Sequence, residues 1–239
     1  MSDALRSGAE IRDVFIEQGD VHSELKGALS AADVAVWPVG PDVIGALTET
    51  VTPQGVVAVV SDPTSGPETL GEVDLTLVLA DVRDPGNAGT LVRSALAAGA
   101  GTVVFAKGSV DPLHPKVVRS AAGALFGLPI VRGQELESVV SALGAAGVTL
   151  VGAAANAETE MYDTDLISPV AIFLGNEAWG LSPHAAELMD VTVGIPMPGP
   201  AESLNVSVAG SILLFEALRQ RRGHGSPSQT PGLSSAPND

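Results

Sequence analysis

Cysteine is absent from this chain, which excludes disulfides and cysteine-ligated metal sites. Basic residues are scarce as well: 12 Lys and Arg stand against 28 Asp and Glu, for a formal charge of −16. Such a balance argues at first sight against a nucleic-acid partner, because phosphate binding rests on Lys and Arg. No uninterrupted apolar run reaches the roughly 18 residues that a membrane helix needs. The opening residues MSDALRSGAEIRD carry no apolar signal core, so neither membrane insertion nor secretion is expected and a cytoplasmic protein is. Histidines number four, and His22, His114, His184 and His224 lie far apart with no i, i+4 pair. They read as surface or capping residues, and no metal site is expected.

What the chain does have is apolar mass: 45% of its 239 residues are hydrophobic, enough to fill the cores of a small and a medium domain. Its charge is unevenly spread. Residues 1–73 carry twelve acids against Arg6, Arg12 and Lys26, whereas residues 83–132 carry Arg83, Arg93, Lys107, Lys116, Arg119 and Arg132 against Asp84 and Asp111. A local positive face on an acidic protein is one reading of that reversal, and an ordinary solvated surface is the other.

Apolar runs separated by Pro, Gly and polar clusters mark the elements. Residues 11–16, 34–37 and 55–60 read as strands, and residues 22–31 and 41–49 as helices. The run GVVAVV at 55–60 predicts a strand buried on both faces. Residues 62–73, rich in Pro, Gly and acids, read as a linker between a small module at 1–61 and the rest. Strands then follow at 75–80, 102–105, 128–131, 148–152, 171–175 and 191–195, with helices at about 88–98, 115–125, 135–146 and 183–189. That alternation predicts a parallel sheet covered on both faces. Residues 223–239 have one large apolar residue, Leu233, and predict a disordered tail.

Three loops, each just after a predicted strand, stand where open α/β sheets bind ligands. In DVRDPGNAGTLVR (81–93), Asn87 and Gly89 turn into a helix whose free N–H groups suit an anion, with Arg93 nearly two turns on and on a similar side. The alternative is a plain capped helix with a surface cation. In GNEAWGLSP (175–183), Gly175 and Gly180 permit close backbone approach, while Asn176 and Glu177 are either site residues or helix caps. In PMPGPAESLN (196–205), prolines stiffen a loop leading to a cap at Ser203 or Asn205. The helix that follows, 205–218, is apolar around most of its circumference, so it needs a second surface to bury against. Arg219, Arg221, Arg222 and then Gly223 suit its C-terminus.

Together the three blocks identify the chain as similar to the SpoU (TrmH-like) RNA ribose 2′-O-methyltransferases of the SPOUT superfamily. The resemblance rests on NAGTLVR, LGNEAWGL, and IPM with ESLNVSVA, supported by KVVRSAAGALFGLP at 116–129, and covers residues 74–222. It implies a trefoil-knotted α/β parallel-sheet catalytic domain that acts as a homodimer on RNA with S-adenosyl-L-methionine. Residues 1–61 resemble the family's small α/β RNA substrate-binding domain, markedly acidic for that role and abrupt enough at the start to read as truncated. By that resemblance Gly175, Ile195 and Leu204 contact the cofactor, with Leu174, Asn176, Gly180, Met197 and Ala154 around them. Arg93 is the implied catalytic residue, Asn87, Glu177, Ser203 and Asn205 shape its surroundings, and Arg93, Arg119 and Lys116 meet RNA. A guanidinium is a poor base, so Arg93 suits phosphate binding and polarisation of the 2′-oxygen. Ribosomal RNA is the favoured substrate. A transfer RNA or base methyltransferase, or a silent RNA-binding relative, is the alternative. A nicotinamide dehydrogenase is disfavoured because no G-x-G-x-x-G opens a first helix.

Overall fold

The computed structural model describes residues 2–19, 22–48, 52–70 and 74–223. The tail at 224–239, with His224, and the end of the expected linker at 71–73 lie outside the described residues. The chain divides into two compact units, Met1–Thr64 and Ser65–Asp239.

The first unit runs α1 (Ser2–Arg6), β1 (Ile11–Glu17), α2 (Ser23–Ala31), β2 (Ala35–Val39), α3 (Pro41–Leu47) and β3 (Val56–Val60). Its sheet has the order β2-β1-β3, with β2 parallel and β3 antiparallel to the central β1. Val14 and Ile16 of β1 pack on Leu29 of α2, whereas the other face carries Phe15 opposite Trp37 and Val57. The expectation that residues 55–60 are buried on both faces is therefore corrected: β3 is an antiparallel edge strand, and Val59 is 45% exposed. Antiparallel edges tolerate one wet face, which an apolar run alone does not reveal.

The second unit contains β4 (Leu75–Leu79), α4 (Pro85–Ala97), β5 (Thr102–Ala106), α5 (Pro115–Ser120), β6 (Ile130–Gln134), α6 (Leu136–Ala145), β7 (Thr149–Ala153), β8 (Thr159–Glu160), β9 (Val170–Leu174), α7 (Pro183–Glu187), β10 (Val191–Gly194) and α8 (Val206–Gly223). Seven parallel strands form one sheet in the order β6-β5-β4-β9-β7-β10-β8. The predicted parallel sheet is thus observed. Alternate residues of the central strands feed two cores. Leu77, Leu79, Val103, Phe105 and Ile172 pack with α4, α5 and α8, and Val78, Val104 and Phe173 pack with Val139 and Leu143 of α6. Part of the expected linker also belongs to this unit, since the Ser65 amide donates to the Ile130 carbonyl at 2.7 Å.

Two helices depart from expectation. Helix α4 begins three residues early, because the Asp84 side chain accepts from the Asn87 amide at 2.8 Å and Pro85 occupies the first turn, a pre-organised start. Helix α5 stops at Ser120, where Ala122 (φ 49°) and Gly123 (φ 87°) enter the left-handed region. Gly89 consequently lies inside α4 and marks a close helix contact instead of a turn. A Cβ there would land on the Ser120 hydroxyl, 2.7 Å from the Val117 carbonyl oxygen and 2.8 Å from the Ala121 nitrogen. Since two of those atoms are backbone of α5, Gly89→Ala should force the helices apart and cost about 1–3 kcal/mol. An unchanged urea midpoint would refute that account.

Candidate active site

Parallel strands align their C-terminal ends, so the segments following β4, β9, β7 and β10 meet along one edge of the sheet. The Glu177 carboxylate joins them. It accepts from the amides of Asp84 (2.9 Å) and Arg83 (3.3 Å) and from Asn87 Nδ2 (3.3 Å). The Asn87 side-chain oxygen in turn accepts from Asn205 Nδ2 at 3.0 Å. Asn205 Oδ1 then accepts from the Ser207 amide at 2.9 Å and the Ser207 hydroxyl at 2.6 Å, which decides the cap of α8 in favour of Asn205 over Ser203. Glu177 thus caps the start of α4 from a different loop while also touching a candidate site residue. The capping reading therefore holds, and its hydrogen bond to Asn87 keeps Glu177 beside the other candidate residues.

Partial burial pushes the Glu177 carboxyl up, but hydrogen bonds from Asp84, from its own amide, from Asn87 and from Arg83 together outweigh burial and hold it below the usual carboxylate range. Asp84 is also lowered, chiefly by the Asn87 amide, with Lys116 Nζ 3.6 Å away assisting.

Beneath this network lies a cleft of about 500 Å³. All eight candidate cofactor residues line it: Ala154, Leu174, Gly175, Asn176, Gly180, Ile195, Met197 and Leu204, with Glu177 and Ser203 beside them. Gly175 is required by packing, since a Cβ there would strike the backbone of Gly180 and Leu181. A neighbouring cavity of about 700 Å³ shares Asn156, Ile195, Met197 and Ser203 with it and extends toward Glu160 and Glu202. Among the described residues, the stretch from Met197 to Leu204 makes no hydrogen bond with the rest of the chain. Backbone donors on the rim are therefore available to a ligand. Apolar walls plus a few free backbone groups suit a flat, weakly polar heterocycle such as adenine.

The candidate basic residues are placed differently. Lys107, Lys116, Arg132 and Arg83 each face a carboxylate, of Glu135, Asp84, Asp111 and Asp81 respectively. The side chains of Arg93 and Arg119 make no hydrogen bond or ion pair among the described residues, and both residues are exposed. Arg93 does not line the cleft. Six residues along α4 from Asn87 amount to a rotation of about 120° off its face, so the expected similar side is corrected. Asn87 turns toward α8, as does Ser94, whose hydroxyl lies 2.7 Å from that of Ser211. Residues not singled out from sequence include Asp84, the α4 cap, and Val193 and Leu213 in the cleft wall. Asp84-Pro85 was a legible start signal for the helix, whereas the wall residues depend on strand order.

Residues 74–215 match the model of the SpoU rRNA Methylase family, and residues 2–65 match RNA 2′-O ribose methyltransferase substrate binding. The chain belongs to the SpoU rRNA methylase family. It is 33% identical over 216 residues, 90% of this chain and 84% of the other, to a 23S rRNA (guanosine(2553)-2′-O)-methyltransferase of Bacillus subtilis (strain 168). It is 40% identical over 189 residues to a 23S rRNA (uridine(2479)-2′-O)-methyltransferase of Streptomyces viridochromogenes, covering 76% of this chain and 66% of that one. Among solved structures, the SpoU methyltransferase AviRb from Streptomyces viridochromogenes in complex with AdoMet superimposes with a TM-score of 0.82 at 33% identity, covering 93% of this chain and 87% of that chain.

The ionised Glu177 should stabilise the loop junction. Because its folded-state pKa is lowered, that contribution is full above the ordinary 4.5 and disappears as pH falls through the lowered value. Glu177→Gln should therefore melt below wild type near neutrality, with the gap closing as the pH drops below 4.5. A gap independent of pH would mean that the charge does not tie the loops.

Proposed function

We propose that the cleft holds S-adenosylmethionine and that the substrate ribose is presented at its rim beside Glu177, Asn87 and Asn205. As a SpoU family member, the chain is an S-adenosylmethionine-dependent RNA ribose 2′-O-methyltransferase, and its substrate is ribosomal RNA, the class named for the relatives above. The observation that carries this reading is the convergence of residues from three separate loops on one cleft beside a hydrogen-bonded junction.

When bound, the cofactor supplies a methyl group on a sulfonium sulfur, open to displacement by a ribose oxygen. The chain's own task is alignment, the term worth most in such a transfer. Gly175, Ile195, Met197 and Leu204 hold the adenosine through backbone groups and apolar contact. Prolines 196, 198 and 200 keep the donors between them in place before the ligand arrives. Arg93 binds the phosphate beside the target and polarises the 2′-oxygen with its fork of donors. Arg119 and Lys116 extend that cationic surface, and residues 1–61 contribute RNA docking. A ribosomal RNA substrate supports a cytoplasmic location for the enzyme.

The same reading makes the protein a homodimer. Helix α8 leaves Val208 and Phe215 46% and 47% exposed, seven residues apart on one stripe. Assembly over that stripe brings the loops of two subunits together and delivers Arg93, which lies off its own cleft, to a site. The segment from Ile195 to Gly223 is then the part of the chain that forms the trefoil knot. Its support is the return of α8 onto α4 and β9, with Gly210 seated against Leu91 and Leu174.

Incubation of the protein with ribosomal RNA and S-adenosylmethionine should yield a 2′-O-methylated nucleoside by mass spectrometry. Arg93→Ala should lose that product while calorimetry still shows cofactor binding; turnover at the wild-type rate would remove Arg93 from the chemistry. Leu214 belongs to the subunit's own core at 0% exposure, so the dimer is better tested at Phe215. Phe215→Glu should sediment as a folded monomer without activity, and an active monomer would contradict the dimeric site.

A further inference from the structure

Trp179 is 61% exposed, an uncommon state for a side chain that is highly buried on average. It is not on a loose segment. Asn176 and Gly180 exchange backbone hydrogen bonds of 2.8 Å each way, the Ala178 amide donates to Asn176 Oδ1 at 2.9 Å, and Gly180 closes the turn at φ 72°. The Arg83 guanidinium lies over the indole, 5.6 Å from the ring centroid. Arg83 is itself held, because its Nε donates to Asp81 Oδ1 at 2.8 Å, and Asn176 Nδ2 lies 3.2 Å from the other oxygen of that carboxylate. One carboxylate therefore fixes both the cation and the base of the loop that carries the ring. An exposed cation–π pair is worth only about 0.5–1 kcal/mol, which does not account for holding an indole in water. A ligand that stacks on it does.

We propose that Trp179, backed by Arg83, is the platform on which an unstacked base of the substrate RNA, adjoining the methylated ribose, is held. The inference rests on the methyltransferase reading above and adds a base contact to it. Trp179 is two residues from Glu177 and borders the cleft, so a base on its outer face leaves the attached ribose at the rim. The neighbouring guanidinium suits the phosphate that accompanies the base. Aromatic stacking accepts any base, so the platform positions RNA without selecting sequence. Adenine of the cofactor is the competing occupant, but Ile195 and Leu204 already offer it apolar surface along the cleft.

Trp179→Ala should raise the KM for ribosomal RNA roughly 5- to 100-fold and leave the S-adenosylmethionine Kd within about twofold, and Trp179→Phe should recover most of the loss. Because the chain has two tryptophans, a Trp37→Phe background isolates the fluorescence of Trp179. That emission should be quenched by RNA and unaffected by S-adenosylmethionine alone. Quenching by the cofactor alone, or an unchanged KM for RNA in Trp179→Ala, would overturn the platform. Absence of methylation by the wild-type protein would instead overturn the underlying reading, and is seen before any variant is made.

Discussion

The Glu177 carboxylate collects two backbone amides and one side-chain amide from the start of α4, and through Asn87 it reaches the cap of α8. Three segments far apart in sequence are thereby tied at one point on the sheet edge. Each bond is modest alone, but hydrogen bonds to an ionised acceptor are the stronger kind. Partial burial strengthens them further and raises the cost of leaving any unmade. Two of those segments, the loop that carries Glu177 and the stretch leading into α8, line the cleft, and its remaining wall comes from the ends of β7 and β10.

Helix α8 shows how one element serves both the core and the site. Its first turn is fixed by Asn205, its middle by Gly210 against Leu91 and Leu174, and its end by polar contacts. Gln220 Nε2 donates to the Thr164 carbonyl and Gln220 Oε1 accepts from the Leu166 amide. Arg221 donates to the carbonyls of Leu166, Ser168 and Asp74. Glu216, buried in the helix, is held by Arg219 and Gln220, and the Arg219 hydrogen bond above all keeps its carboxyl below the usual range. The helix therefore ends by stapling the segment before β9, where an apolar count had suggested only a greasy rod with cationic residues at its tip.

Much of the fold was legible. Runs such as LTLVL and AIFL are apolar without alternation, as strands buried between two helical layers must be, and Ser182-Pro183 and His114-Pro115 announce helix starts that form with those side chains as caps. The short elements escaped notice. Helix α1 and strand β8, at five and two residues, are too short to show a period. The face of Val59 was misread because burial depends on what covers a strand, which a six-residue run does not encode. The start of α4 is set by the Asp84 cap and by Pro85 in the first turn, and not by the Asn87 and Gly89 that follow.

Sequence by itself determined the alternation of strands and helices, the proline-stiffened loop before α8, and the three motif blocks, since each is set by local propensity and residue chemistry. Tertiary structure alone decided the strand order that sets β4, β9, β7 and β10 side by side, and with it which residues share a cleft. It also decided that Gly89 serves a helix contact and that Trp179 stands exposed under Arg83. These depend on contacts between residues distant in sequence, from Gly89 with Val117 to Asn87 with Glu177, 90 positions apart, and no local pattern specifies a partner at that distance.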